Sequence, residues 1–191
     1  APFMSEATPD ASLTVNALTN QSTEENVKSS DFLLMKATVD PEQDLTADGK
    51  LKISLNHAMS KLIIKITVNG TTDASMSKLG DMAINGAVVN ATCDLSAAAP
   101  VVVPAADAVV ATVAPYKGTE SCECILPPQK IAEGFSVNFS YDGKLYIWTA
   151  KEAIELEKGV EHTLTLNVNT TVRLAAKVAR NWATGQLIDR N

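Results

Sequence analysis

The 191-residue sequence predicts an all-β protein built as an antiparallel β-sandwich. Three observations carry this reading. Short runs alternate apolar and polar residues with period 2. Turn dipeptides such as Asn69-Gly70, Asn85-Gly86 and Asp142-Gly143 punctuate them. No stretch sustains a helical period, and no repeat or low-complexity tract is present.

Composition narrows the class. Aromatic residues make up only 5% of the chain against 46% hydrophobic, so Ala and β-branched side chains must fill much of the core. The length suits one large or two small domains. A net charge of −6, with all three Arg (Arg173, Arg180, Arg190) near the C-terminal end and no basic patch, argues against nucleic acid or an anionic membrane surface as partner. The longest apolar region, residues 97–115, is broken by Pro100, Pro104 and Asp107 and does not read as a transmembrane helix. Ala1 opens without a basic start or a long apolar run, as a mature or truncated secreted chain would, and equally a cytosolic one.

In chain order, residues 12–19 alternate Leu13, Val15 and Ala17 and predict a short strand, followed by a polar loop over 20–30. The apolar run 31–39 ends before Pro41 and predicts a strand. Residues 40–49 carry Asp40, Glu42, Asp44 and Asp48. Their spacing is not that of an EF-hand loop, so the segment reads as a solvated linker. Residues 51–70 organise the chain. Leu51, Ile53 and Leu55 alternate with Lys52, Ser54 and Asn56; Leu62, Ile64, Ile66 and Val68 alternate with Lys65 and Thr67. Helical spacing also exists in this stretch, but the β-branched residues and the following Asn-Gly favour two strands with a short connection.

Further strands are predicted around Met82, Ile84, Val88 and Val89, folded into a hairpin at Asn85-Gly86. Others cover 101–103, 108–113 and 122–128. Residues 135–141 and 144–149 flank Asp142-Gly143 and form the clearest hairpin, with a type I′ turn. Short strands follow at 153–156 and 161–168. Residues 172–182 fit either a strand or an amphipathic helix on Leu174, Val178 and Trp182.

Several of these stretches together resemble the fimbrillin-like proteins of Bacteroidetes, subunits of surface pili. His57-Ala58-Met59-Ser60-Lys61 between two apolar runs resembles that family's H-x-x-S-K segment. Residues 31–39 (DFLLMKATV) resemble its D-L-hydrophobic-A segment. Residues 122–129, ending Pro128-Gln129, resemble its hydrophobic-P-Q segment. Leu156, Gly159 and Thr163 resemble its L-x-x-G-x-x-x-T segment, and residues 172–185 its closing I-x-x-W-x-x-G, with slightly altered spacing around Trp182.

The resemblance implies Greek-key, transthyretin-like β-sandwich domains, with part of a second β-domain present. Residues 1–40 would be the remainder of an N-terminal β-domain, 41–50 a linker and 51–191 a C-terminal sandwich. It also tips residues 172–179 towards a strand, a candidate assembly strand carrying Val172, Leu174, Ala176 and Val178. The implied function is a structural pilus subunit at the cell surface, exported as an outer-membrane lipoprotein precursor and cleaved after a basic residue. Its partners would be other pilus subunits, joined by strand exchange, and a host or bacterial surface ligand. Neither the lipid-bearing Cys nor the cleavage site is placed in this chain.

No motif for catalysis, phosphate binding or a metal is present, so no enzyme activity, cofactor or metal site is expected. Cys93, Cys122 and Cys124 are read as buried thiols, with one disulfide or a metal site as alternatives. His57 reads as a hydrogen-bonded turn residue. Tyr146 and Trp148 share a strand face and are candidates for stacking on a glycan, the basis of a second reading as a carbohydrate-binding module. The five Asn-x-Ser/Thr sequons are incidental in a bacterial, Asn- and Thr-rich β protein.

Overall fold

The computed structural model describes residues 12–36, 38, 40, 42–70, 72–168 and 174–181. The chain begins with strand β1 (Ser12–Asn16), helix α1 (Glu24–Ser30) and the two-residue strands β2 (Leu33–Leu34) and β3 (Asn56–His57). β4 (Ser60–Val68), β5 (Thr72–Asp73), β6 (Leu79–Val88) and β7 (Asn90–Asp94) follow. β8 (Val102–Pro104), β9 (Val110–Val113), β10 (Tyr116–Lys117), β11 (Cys122–Leu126) and β12 (Gln129–Ile131) form the middle of the chain. The last five are β13 (Ser136–Tyr141), β14 (Lys144–Thr149), β15 (Ile154–Leu156), β16 (Val160–Val168) and β17 (Leu174–Asn181).

One sheet has the order β10-β11-β4-β16-β17, with β5 beside β4. Its centre is the parallel pair β4–β16, in register from Lys61↔Glu161 to Val68↔Val168; the other strand pairs in the molecule are antiparallel among the named strands. These partners are about a hundred residues apart, the kind of connection that sandwiches use to place distant strands side by side. A second sheet has the order β14-β13-β6-β9. Val89 alone separates β6 from β7, so a third sheet, β1-β7-β8, continues the second. The run 102–113 follows this long strand in reverse, pairing Val102 with Cys93 and Val113 with Ile84.

The buried side chains form one cluster: Leu62, Ile64 and Ile66 of β4, Leu164 and Leu166 of β16, Ile84 of β6 and Val137 and Phe139 of β13 all belong to it. Fully burying one such side chain contributes about 1.5–3 kcal/mol, which is why period-2 alternation pins the register of β4 and β16. Leu13, Val15, Val27 and Phe32 join the same cluster. The hairpin at Asp142-Gly143 forms as expected: Tyr141 pairs with Lys144, and both turn residues have positive φ, 51° and 74°.

Four expectations need correction. Residues 51–55 belong to no strand among the described residues; Leu51 makes only an isolated bridge to Leu45, and Ile53 and Leu55 are 60% and 56% exposed. Alternation supplies a face for a strand but not a partner, and no described strand pairs with this stretch. Asn85-Gly86 is not a hairpin. β6 runs straight through it, and Gly86, with φ +98°, sits in a β-bulge opposite Thr112 and Ala111. Residues 24–30 of the expected loop form α1. Thr23 caps it by accepting from the Asn26 N–H at 3.2 Å, Glu24 and Glu25 stand in its first turn and Lys28 in its last. Of the expected strand 31–39, the described residues form a strand only at Leu33–Leu34, paired with β3. Cys93, Cys122 and Cys124 are buried and unbridged.

Candidate assembly edges and the motif junction

The stretches that carry the family resemblance meet in space. His57 Nδ1 lies 2.8 Å from Asp31 Oδ2, while the Ala58 N–H donates to Phe32 O at 2.8 Å. These bonds tie the segment after α1 to the start of β4. Burial raises the Asp31 carboxyl above its usual range, against the opposing pull of His57, and its Oδ1 is buried without a hydrogen bond among the described residues. Gly159 closes on the other side. Its N–H donates to Met59 O at 2.8 Å, and a Cβ there would stand 3.1 Å from His57 O, so only glycine fits its φ of +67°.

Ser60, next in the motif, donates from Oγ to Val160 O at 3.4 Å. Lys61 projects to the other face of β4, 2.8 Å from Glu123 of β11 and 3.6 Å from Glu161 of β16. It bridges the two strands that flank β4. Gln129 completes the set: its carboxamide accepts from Val88 N–H and donates to Val88 O, both at 2.9 Å, pairing with β6 as a strand would. The motif residues are therefore joints of the sandwich, and that is the chemistry they perform.

Two further joints have no counterpart in the sequence reading. Gln21 is fully buried, accepts from the Ile125 N–H at 2.8 Å and donates to Ile125 O at 2.8 Å. Its signal was only a lone Gln in a polar stretch. Lys36 donates to Leu95 O at 2.7 Å and Ala97 O at 2.9 Å, holding the turn after β7.

Among the described residues, the sheets end at a small set of edge strands. β17 ends its sheet, with β16 as its partner; Leu174 pairs with Leu166 and Val178 with Thr163, Ala176 lies between them, and Val172 falls outside the described residues, as does Trp182. β1 likewise ends its sheet beside β7. β14 ends the second sheet, with Leu145 and Ile147 86% and 66% exposed. On the opposite side of that strand face Tyr146 stacks on Phe139 at 5.4 Å and buried Trp148 meets Phe135 edge-on at 6.2 Å, so both rings pack against the core. At the other ends, β8 closes the third sheet, β9 the second and β10 the first among the described residues.

Among the described residues no group of three or more His, Cys, Asp or Glu is arranged to hold a metal ion. No helix among them is long and apolar enough to cross a membrane. Burial pushes the Cys122 thiol up to about 11 and raises Cys124 further, so neither is a ready nucleophile.

The molecule is an all-β sandwich whose motif residues serve as internal joints and whose described sheets end in strand edges. The profile of the fimbrillin-like family matches residues 1–182, and the chain belongs to that family. Among solved structures, it is similar to a candidate cell adhesion protein from Bacteroides uniformis, with a TM-score of 0.69 and 17% identity over 95% of this chain and 70% of that one. It is also similar to a candidate cell adhesion protein from Bacteroides ovatus, with a TM-score of 0.62 and 15% identity over 97% of this chain and 63% of that one. At these identities the likeness is one of fold. No curated protein matches the chain.

Proposed function

We propose that this chain is a structural subunit of a bacterial surface pilus or fimbria that supports adhesion and assembles by strand complementation. Family membership supports the pilus, and the names of the two solved neighbours support adhesion. One structural observation carries the assembly: strand edges with exposed apolar side chains, above all Leu145 and Ile147 on β14. Such edges invite another strand, which adds main-chain hydrogen bonds and buries alternate side chains. A lipoprotein precursor delivered to the outer membrane is the route that this reading implies.

Immunogold labelling of intact cells with antibody to the purified chain tests it. The expected result is gold along surface filaments. Label confined to the cell interior, or spread over a surface without filaments, overturns the pilus reading.

A further inference from the structure

We propose that Asn69 is a site of spontaneous covalent modification: its side chain condenses with the backbone nitrogen of Gly70 and converts to aspartate and isoaspartate, and the side chain of Asn167 holds the reaction back. The turn that joins β4 to β5 carries the argument. Val68 pairs with Thr72 across it. Asn69 has φ +55° and Gly70 φ +73°, both in the left-handed region. Asn is among the few residues with a side chain that enter this region readily, and Gly enters it freely. A Cβ on Gly70 would also stand 3.2 Å from Asn167 Nδ2. The turn therefore keeps glycine after asparagine, and the missing Cβ leaves the Gly70 nitrogen open to the Asn69 side chain.

The step needs no co-reactant but water. Gly70 N gives its proton to solvent and attacks Asn69 Cγ. The N–Cγ bond forms, the Cγ–Nδ2 bond breaks, and Nδ2 takes up a proton and leaves as ammonia. The resulting five-membered imide then adds water at one of its two carbonyl carbons. Opening at Cγ gives aspartate; opening at the main-chain carbon gives isoaspartate, whose backbone runs through Cγ. An amide is exchanged for a carboxylate, so a chain of net charge −6 gains a further negative charge.

Two asparagines in the sequence precede glycine, Asn69 and Asn85, and the fold treats them oppositely. Asn85 lies inside β6, opposite Ser136 on one side and Thr112 on the other. Its carboxamide donates to Ser136 Oγ at 3.4 Å and accepts from Thr112 Oγ1 at 2.8 Å. Turning it towards Gly86 N breaks both bonds and the strand pairing. Asn69 is exposed, and its carboxamide makes no hydrogen bond among the described residues. The restraint there lies on the nucleophile: the Gly70 N–H donates to Asn167 Oδ1 at 3.0 Å. Asn167 stands opposite Thr67 on the neighbouring strand β16. Its bond to Gly70 must open before the nitrogen can lose its proton and attack.

The test follows the whole folded chain through weeks in mildly alkaline buffer, beside a sample in denaturant. Peptide mapping by mass spectrometry, with chromatographic separation of the isoaspartyl product, reads each asparagine. The expected result is conversion at residue 69 in the folded chain while Asn85 stays intact, and conversion of both in denaturant. Asn167→Ala is expected to speed the change at residue 69 roughly two- to tenfold, the effect of losing one hydrogen bond. Asn85 staying intact in that variant shows that the sheet has not loosened. Asn167→Asp keeps the acceptor and is expected to keep the parent's rate. Residue 69 unchanged in the folded chain after it has converted in denaturant overturns the inference. Equal rates at residues 69 and 85 in the folded chain overturn it as well. A rate that Asn167→Ala leaves as it was, or that Asn167→Asp raises as far as Ala does, overturns the part assigned to Asn167.

Discussion

At the scale of single residues, the polar groups with the largest structural effect are those that imitate backbone. Gln21 supplies one acceptor and one donor to Ile125, which lies 104 positions away, and so fastens the segment before α1 onto β11. Gln21→Ala leaves a buried N–H and C=O without partners, at a cost of about 1–3 kcal/mol. For a chain of this size each kcal/mol lowers the melting temperature by about 2–4 °C. Gln21→Met, which fills the space but cannot bond, is expected to lose nearly as much; a Met variant that melts like the parent would show that packing, not hydrogen bonding, holds this joint. Nothing in the sequence marks Gln21. A buried Gln is recognised by what it meets, and Ile125 is remote in the chain. His57, by contrast, stands in a legible motif, though its partner Asp31 emerged only in three dimensions.

At the scale of elements, the two glycine turns that look alike in sequence differ in use. Asp142-Gly143 turns the chain; Asn85-Gly86 kinks a strand that continues. The difference shows in what surrounds each glycine. A Cβ on Gly143 meets nothing within 4 Å, whereas one on Gly86 stands 3.2 Å from Phe135 Cα. Both carry positive φ, so Ala at either is strained by about 1–3 kcal/mol. Gly86→Ala adds the close contact with the Phe135 backbone and is expected to melt below Gly143→Ala. Comparing the two variants by calorimetry checks this, and equal melting temperatures would mean that the bulge relaxes freely. Helix α1 was missed for a related reason. Its seven residues bury only Val27 and Ser30, too few to show a period, although Thr23 and the two glutamates after it spell a helix start.

For the whole molecule, the single core that joins residues 13–32 to the later strands predicts cooperative opening. Cys93, Cys122 and Cys124 report on it: all are buried and free, and burial raises each thiol above its ordinary range. A thiol reagent at pH 8 is expected to modify none of them in the native protein and all three in denaturant. The rates should follow the unfolded fraction across a denaturant series. A thiol that reacts at once in buffer would reveal local opening of β7 or β11.

The sequence alone determined which stretches have a wet and a dry face. β4, β13, β14 and β16 were legible because alternation, β-branching and turn dipeptides are local properties written over a few consecutive residues. Family membership was legible for the same reason, since its motifs are short and ordered along the chain. Only the tertiary structure decided which strand finds which neighbour. Residues 51–55 alternate as well as residues 62–68 do, yet one stretch lies exposed and the other lies at the centre of a sheet, parallel to a strand a hundred positions on. Strand pairing is settled by long-range hydrogen bonds and by the apolar area that each candidate partner can bury. Neither quantity is a property of any single segment, and so the strand edges became visible only once every other described strand had taken its place.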